Sequence, residues 1–547
     1  MYFAARIKLN PFYRLKPGQA RFASWLLLSL FMAGIWAGAR PALAGPSADE
    51  VVGTGTPASC DEAAFDTALA AVQGGGGGVI TFDCGGPATI LFTAQKSIAG
   101  EVTIDGGEQI TLSGGNSTRL FSVFAATLHL KNITLSNGFS NTGDGGAIYN
   151  NGILTLDNVT IRKSTASNFS GGAIVSYGVL TIRDSILEEN SAENGGALYL
   201  RFADATTTLE NTILRNNRAT AMEGLGGAIL TWGSGDVTID GGEIAHNVSQ
   251  GGGGGIYNTP DSTVVATGDV QIHDNVSERG LFSRGGGIYN TGHLILDRAT
   301  IHSNLAGHGG GIYNNGGSMI LLDATIRDNQ AQNGSGGGID NWIGNVSLEH
   351  VTLSGNSSLA GGGLLHNDGL ITINNSTISG NTATEHGGGI ESHANLSLTF
   401  VTIAGNSAPK GAGISKALGK LTLHNVILDN SDEGGNCWGF PDAVPLTSKG
   451  FNLASDDGDY CYLNQASDLK NVDPQLSALG DWGGFTQTML PAATSPAVDS
   501  GQCDPDIQID QRGLPRLQGA ACDIGAVEVE ANVGPALQSV FLPMVKR

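Results

Sequence analysis

Residues 285–290 read Gly-Gly-Gly-Ile-Tyr-Asn, and residues 309–314 repeat the same six letters. In a looser form, a Gly-Gly-Ala or Gly-Gly-Gly step followed by Ile or Leu, the phrase occurs eleven times, the last copy weakened to Gly-Ala-Gly. The copies place an aliphatic residue every 24 to 32 positions, at Ile148, Ile174, Leu198, Ile229, Ile256, Ile288, Ile312, Ile339, Leu364, Ile390 and Ile414. This interval is typical of a stacked solenoid, in which single repeats cannot bury their own apolar faces.

Within a repeat the apolar residues recur with a period of two, which indicates strands and not helices. The clearest copy reads Ile148-Tyr149-Asn150, Leu154-Thr155-Leu156 and Val159-Thr160-Ile161, with turn residues between these segments. Three short strands per coil predict an all-β fold, a right-handed parallel β-helix.

Two columns of polar residues recur in register with the repeat. One falls at a predicted corner, where Asn and Asp tolerate the left-handed backbone conformation, and comprises Asn158, Asp184, Asn211, Asp269, Asp323, Asn375 and Asn425. The other follows the third strand, and we interpret it as a hydrogen-bonded amide ladder, although plain polar loop residues are the alternative; its members are Asn190, Asn217, Asn247, Asn275, Asn304, Asn329, Asn356, Asn381 and Asn406.

Charge and composition narrow the classes of function. The 547-residue chain has 83 glycines, only 14% charged residues and a net charge of −22. Residues 1–44 contain six basic residues and no acidic ones, so the net charge of the chain without them is 22 − 50 = −28. Such a surface repels nucleic acid and anionic lipid.

The N-terminal segment has the features of a signal for export. Residues 1–44 combine a basic region, an apolar stretch from Trp25 to Ala37 and the small-residue site Ala42-Leu43-Ala44, which predicts a cleaved signal peptide. A retained signal anchor is the alternative. Because no later segment reaches about 18 apolar residues, we expect no transmembrane helix in the mature chain and a secreted or cell-surface location.

The remaining chain divides into four predicted regions. Residues 45–78 form an arm and a short helix, Asp61 to Ala70, that caps the solenoid; residues 79–434 form the β-helix. Residues 435–530 form an end domain rich in Gly, Pro and Asp, and residues 531–547 form a tail. Six cysteines in an exported chain suggest three disulfides, by proximity Cys60–Cys84, Cys437–Cys461 and Cys503–Cys522, although spacing does not fix connectivity.

Candidate site residues lie on one strand position. Tyr257, Tyr289 and Tyr313 share it in consecutive coils and are candidates for stacking on sugar rings, with strand packing as the alternative. In later coils the position becomes Asp340 and Glu391, two coils apart, near the outer limit of the carboxyl separation in inverting glycosidases. With His366 as a further catalytic candidate and Trp342 as a binding candidate, they form the best enzymatic patch, whose alternative is a solvated polar face.

Metal and cofactor sites are not expected. The chain has no Cys-x-x-Cys, no calcium-binding nonapeptide repeat, no His-Glu-x-x-His and no P-loop. We therefore predict neither a metal ion nor a cofactor.

Two resemblances to known bacterial families follow from these motifs. The Gly-Gly-Ala-Ile and Ile-x-x-Asn repeats resemble those of the chlamydial polymorphic outer membrane protein family, which are surface β-helices. The C-terminal region resembles the choice-of-anchor Q domain, with Trp482 in place of the usual Asn. Its matching segments are residues 436–437, 450–453, 461, 473–474, 483–488, 495–499, 510–513 and 522–526. This resemblance implies a secreted or surface-displayed bacterial protein whose C terminus carries a variable sorting signal, here residues 540–547, for which a frayed terminus is the alternative.

Two functions of different class are consistent with these features. The first is a non-catalytic display rod at the bacterial cell surface, used for adhesion, matrix contact or glycan binding, with a polysaccharide or extracellular matrix ligand as partner. The second is an exported polysaccharide lyase or glycoside hydrolase that uses the Asp340 and Glu391 patch.

Overall fold

The computed structural model describes residues 49–201, 206–430, 434–439, 447–458 and 460–530. These residues form an all-β chain built as a parallel β-solenoid of about 15 turns, which confirms the fold class predicted from the repeats. The predicted signal peptide and the tail, residues 531–547, lie outside the described residues. Within the described ranges, no helix is both long and apolar enough to cross a membrane.

Each coil contributes up to four strands, which we number first to fourth from the glycine step onward. Five long strands span more than one of these positions, and each is given at the position where it begins. The first strands begin at Lys96–Ile98, Phe121–Ser136, Ile148–Arg162, Ile174–Ser176, Leu198–Arg201, Ile229–Trp232, Ile256–Asn258, Ile288–Asn290, Ile312–Asn315, Ile339–Ile343, Leu364–His366, Ile390–Ser392, Ile414–Lys416 and Cys437–Gly439. The second strands begin at Glu50–Val52, Gly78–Phe82, Glu101–Ser113, Val179–Arg183, Thr206–Glu210, Asp236–Asp240, Thr263–Thr267, His293–Asp297, Ser318–Leu322, Val346–Glu349, Leu370–Ser379, Asn395–Ala404, Leu421–His424 and Thr447–Ser448.

The third strands are Ala88–Leu91, Ile186–Glu188, Ile213–Arg215, Glu243–Ala245, Gln271–His273, Thr300–His302, Thr325–Arg327, Thr352–Ser354, Ile427–Asp429, Leu453–Ala454 and Leu469–Lys470. A short fourth strand, which the sequence did not predict, forms a separate sheet from Phe139–Ser140, Thr165–Ser170, Ser191–Asn194, Arg218–Ala219, Val248–Ser249, Val276–Ser277, Leu305–Ala306, Gln330–Ala331, Ser357–Ala360 and Thr382–His386. The described helices are α1, Glu62–Gly74, and the 3₁₀ turns Pro57–Ser59 and Gly280–Phe282.

Parallel register places the repeated aliphatic residues over one another inside the solenoid. Ile288 pairs with Ile312 and Leu294 with Met319, and these side chains are at most 1% exposed. Because each coil covers the apolar interior of the next, a single hydrophobic core extends along the solenoid.

Both predicted polar columns occur as ordered features. Every member of the corner column has a positive φ, between 44° at Asn375 and 66° at Asp269. The amide ladder is buried and continuous: the Nδ2 atom of each Asn donates to the Oδ1 atom of the Asn in the next coil at 2.9–3.2 Å, and the ladder extends beyond Asn406 to Asn430 and Asn436. The alternative, that these Asn are plain polar loop residues, is therefore wrong.

The N-terminal helix α1 covers the first coil. Asp61 caps it by accepting a hydrogen bond from the backbone N–H of Ala64 at 2.8 Å, and its apolar face buries Phe65 and Leu69. The arm before it joins the solenoid, since Val52 pairs with Phe82 in parallel register. The residues predicted as arm and cap thus include a strand as well as a helix.

The last part of the chain first continues the solenoid and then folds back along it. Cys437 pairs with Ile414 and Leu453 with Ile427, so the stacking continues past the boundary predicted after residue 434. The disulfides Cys60–Cys84, Cys437–Cys461 and Cys503–Cys522 join the cysteine pairs expected from proximity.

Residues 472–530, the folded-back segment, lie against the corner between the second and third strands. Four consecutive coils provide contacts there. The carbonyl of His350 accepts a hydrogen bond from Thr486 at 3.0 Å, and Asn375 accepts one from Arg516 at 2.6 Å. In the next two coils, Thr402 accepts a hydrogen bond from the backbone N–H of Ala526 at 3.0 Å, and Asn425 donates one to the carbonyl of Gln502 at 2.8 Å. The folded-back segment therefore covers one side of the solenoid.

Candidate functional site

The predicted tyrosine stripe is a stack of rings packed between coils. The ring centroids of Tyr257 and Tyr289 are 4.5 Å apart and those of Tyr289 and Tyr313 are 5.1 Å apart. Tyr289 and Tyr313 are buried, and burial raises the pKa of Tyr257 and Tyr313. The geometry is that of strand packing, the alternative noted for this stripe, and it leaves little ring surface for a sugar.

The turn before each glycine step covers these rings. Gly252 lies so close that an added Cβ would be 2.8 Å from Cδ2 of Tyr289, and the Arg284 guanidinium lies 5.3 Å from the Tyr313 ring centroid. The following glycines explain this close approach: Gly285 has a φ of 65°, and a Cβ on Gly286 would be 2.3 Å from the carbonyl oxygen of Gly310. The repeated glycines therefore serve close packing of backbone on backbone.

Asp340 occupies the tyrosine position one coil later and is fully buried. Its Oδ2 atom lies 3.3 Å from Nδ1 of His308, and neither carboxylate oxygen has a hydrogen bond of good geometry among the described residues. Burial raises the pKa of Asp340 and outweighs the opposing effect of His308. The Nδ1 atom of His308 itself accepts a hydrogen bond from the backbone N–H of Ser335 at 3.3 Å. Asp340 is therefore a buried carboxyl packed between coils, and burial disfavours its charged form.

Asp340 and Glu391 lie in one row with Leu365 between them. The register pairs Asp340 with Leu365 and Leu365 with Glu391, so two coil spacings, roughly 9.6 Å, separate the carboxylate-bearing positions. Glu391 is 7% exposed, and its Oε1 atom lies 3.0 Å from Nε2 of His393. The structure thus brings both predicted carboxylates to one row but buries each of them away from solvent.

His366 and Trp342 lie on opposite sides of the coil wall. His366 is buried in the interior, where Nε2 donates to the carbonyl of Asn395 at 3.1 Å and Nδ1 accepts from Asn341 at 3.2 Å. Burial lowers the pKa of His366 to about 4, so its imidazole is neutral. Trp342 is 45% exposed beside an irregularity in the pairing of Ile312–Asn315 with Ile339–Ile343. The four candidates, which lie in three consecutive coils, therefore do not form one surface patch.

His366 belongs to a second interior polar column that the sequence analysis missed. Two positions after the aliphatic anchor, the buried residues are Asn258, Asn290, Asn314, Asn341, His366, Ser392 and Lys416. The amides of the four Asn are linked at 2.7 Å, and burial lowers the pKa of Lys416 to about 8. Alternation would have placed this column inside, because the anchor and the residue two positions later face the same side of a strand.

A recess lies elsewhere on the described surface, between the third strands and the folded-back segment. This cleft has a volume of about 700 Å³, and its lining comprises Gln271, Thr300, Thr325, Arg327, Asp328, Ser354, Gly355, Ser379, Gly380, Leu479, Phe485 and Gln487. Phe485 is 65% exposed, with the Arg298 guanidinium 5.4 Å from its ring centroid. The cleft thus combines many polar side chains with one exposed aromatic ring.

A row of threonines explains the position of the cleft. Thr300, Thr325, Thr352, Thr377 and Thr402 begin the third-strand segment of five consecutive coils and lie in register. The last three are buried under the folded-back segment, whereas the first two remain partly exposed and line the cleft. The cleft therefore begins where the cover of the end domain stops, and this threonine row was the signal available in the sequence.

Comparison of the chain with protein-family models, with curated proteins and with solved structures finds no match in any of the three. The parallel β-solenoid fold alone does not imply a function, so the site is interpreted from its own residues.

Proposed function

We propose that the protein is an exported, non-catalytic display rod of the bacterial cell surface that binds a neutral glycan in the cleft beside Phe485. Export is supported by residues 1–44 as a predicted signal peptide and by the three disulfides, which persist in oxidising compartments. Attachment through the C-terminal region is part of this proposal and rests on the resemblance to the choice-of-anchor Q domain.

The composition of the cleft carries the proposal of glycan binding. Sugars present hydroxyl groups at their edges and C–H groups on their faces, so hydroxyl and amide side chains together with an aromatic ring match them. Gln271, Thr300, Gln487 and the exposed ring of Phe485 supply this combination. Arg327 and Asp328 lie 2.7 Å apart and offset each other's charge, which favours a neutral ligand over an acidic one.

The same lining favours binding over hydrolysis. Glycosidases of the common type need two carboxyl groups at the scissile bond, and the described lining contains Asp328 alone. The other candidate carboxylates, Asp340 and Glu391, are buried in the row occupied by the tyrosines in earlier coils.

A binding experiment with matched phenylalanine variants tests this proposal. A glycan array with purified protein, followed by calorimetric titration of the best neutral oligosaccharide, is expected to give saturable binding without turnover. Phe485→Ala is expected to weaken it about tenfold, because an aromatic contact contributes about 1 kcal/mol or somewhat more. Phe124→Ala is the control, since Phe124 is 66% exposed and lies in an early coil outside the cleft.

Two outcomes would contradict the proposal. One is the absence of neutral glycan binding, or binding that Phe485→Ala and Phe124→Ala affect equally. The other is turnover of a polysaccharide that is lost in the double variant Asp340→Asn with Glu391→Gln, which would establish the enzymatic alternative.

A further inference from the structure

A cluster of histidine and carboxylate side chains lies on the third-strand side of the solenoid, outside the cleft. His246 occupies a turn, and His273 and Asp274 occupy the end of the third strand and the turn of the next coil. The backbone N–H of His246 donates to the carbonyl of His273 at 3.2 Å, so stacking of adjacent coils fixes the three residues together. One ligand atom from each of them lies within 4.8 Å of the others.

His273 is held in one orientation by two neighbours. Its Nε2 atom lies 3.2 Å from the carboxylate of Glu243, and its ring stacks on that of His302, with centroids 4.6 Å apart and planes 4° from parallel. The other nitrogen, Nδ1, then faces Oδ2 of Asp274 at 2.7 Å. A histidine that binds a metal ion usually does so through one ring nitrogen, while the other nitrogen meets a carboxylate. At His273, Nε2 meets the carboxylate of Glu243 and Nδ1 is the nitrogen left for the ion.

We propose that His246, His273 and Asp274 form a binding site for a divalent transition-metal ion of the Zn²⁺ type, with Glu243 as a positioning residue. Two imidazoles and one carboxylate are ligands for zinc and its neighbours, whereas Ca²⁺ and Mg²⁺ prefer sites made of oxygen atoms. Binding replaces the proton between His273 and Asp274, which leaves to solvent as the ion enters.

The required rearrangement is confined to two side chains: the ligand atoms lie within 4.8 Å of one another, so the exposed His246 ring approaches by up to roughly 1.5 Å and Asp274 rotates. A tetrahedral ion at about 2.0–2.1 Å from each ligand holds two ligand atoms roughly 3.3 Å apart. The Nδ1 atom of His273 and the carboxylate of Asp274 must therefore separate by about half an ångström, which rotation of the partly exposed Asp274 side chain provides. Three protein ligands leave a coordination position open to water or to an external group, and the ion would join two successive coils.

The sequence did not predict this site because its ligands lie on different coils. His246 and His273 are 27 residues apart, so no short motif contains both of them. Only the register, which pairs Ala245 with His273, brings the turn of one coil onto the strand end of the next.

Calorimetric titration of the purified, chelator-treated protein with Zn²⁺ tests the proposal. One equivalent is expected to bind per chain, and Co²⁺ is expected to give the visible absorption of a nitrogen and oxygen site. His246→Ala and Asp274→Asn are expected to weaken Zn²⁺ binding more than tenfold, and Glu243→Gln by about tenfold. His293→Ala is the control, because His293 is also exposed but its Nδ1 atom meets Ser318 at 2.7 Å, away from the cluster.

The variants must retain the thermal midpoint of the parent protein, which the exposure of His246 and the conservative change at Asp274 favour. Saturable Zn²⁺ binding that is lost in both variants and kept in His293→Ala supports the site. No saturable binding, equal affinity in all variants, or Ca²⁺ binding as tight as that of Zn²⁺ would overturn it.

Discussion

Replacing Asn329 with alanine is expected to lower the free energy of unfolding by about 4 kcal/mol. The Oδ1 atom of Asn329 accepts hydrogen bonds from the backbone N–H and the side-chain amide of Asn304 at 3.0 and 2.9 Å. Its Nδ2 atom donates to the carbonyl of Ile301 at 2.9 Å. The variant removes these three buried hydrogen bonds and the one from Asn329 to Asn356 at 3.0 Å. The side-chain amide of Asn304 keeps its bond to the carbonyl of Ile272 at 2.9 Å, and each buried group that is left unpaired costs about 1–3 kcal/mol before relaxation.

Guanidinium denaturation combined with hydrogen exchange measures this effect. Because solenoid stability depends on neighbouring coils, exchange of the Asn304 amide is expected to lose protection first. Gln332→Ala, an exposed change three residues away, serves as the control and should stay within about 0.5 kcal/mol of the parent protein. Equal stability of the two variants would show that the ladder does not support the solenoid.

Replacing Arg516 with alanine is expected to release the folded-back segment from the solenoid. The buried guanidinium donates to Asn375 at 2.6 Å, lies 3.7 Å from the ring centroid of Phe400 and approaches Glu528 at 3.6 Å. Burial lowers its pKa to about 10, so it stays charged at neutral pH. Its removal takes the nearby cation from the buried carboxylate of Glu528, which keeps hydrogen bonds from the backbone N–H groups of Leu517, Gln518 and Asp523 at 2.9–3.0 Å. We therefore expect a cost of about 3 kcal/mol, the lower end for a broken buried pair.

Limited proteolysis is the measurement suited to this variant. Arg516→Ala is expected to be cleaved within residues 472–530 at protease concentrations that leave the parent protein intact, while residues 79–430 stay resistant. The control is Arg218→Ala, since Arg218 forms an exposed ion pair with Glu278 at 2.6 Å. Equal resistance of the two variants would mean that Arg516 does not hold the segment.

The solenoid could be predicted because its information is local and repeated. The spacing of Ile288 and Ile312 gave the coil length, alternation within each strand separated Ile288 from Tyr289, and the Asn and Asp column marked the corner. The same alternation places His366 inside, two positions after the anchor Leu364. Its assignment to a catalytic patch followed residue type more than position.

Other features depend on contacts between distant residues. The fourth strand has as few as two residues, as at Leu305–Ala306, which is too short to show any periodicity. The turn that follows the fourth strand, before the next glycine step, nevertheless packs against the tyrosine rings. The contact between His350 and Thr486 joins residues 136 apart, and the cluster of His246 with His273 needs the register of two coils. The threonine row marks one wall of the cleft in the sequence, but the docking of residues 472–530 that completes the cleft and the register that forms the proposed metal site are not encoded in local patterns.

Disulfide formation between introduced cysteines tests most directly whether the coils stack in the stated register. Ile295 pairs with Ile320, both side chains face outward, and the backbone spacing of roughly 4.8 Å suits a disulfide, whereas Ile295 and Leu322 are offset by two residues and lie about 8 Å apart. The described residues contain no free cysteine that would interfere. Mild oxidation of Ile295→Cys with Ile320→Cys is expected to give an intramolecular disulfide by mass spectrometry, and Ile295→Cys with Leu322→Cys is expected to stay reduced. A disulfide in the second pair and none in the first would contradict the stacked solenoid on which the cleft and the metal site depend.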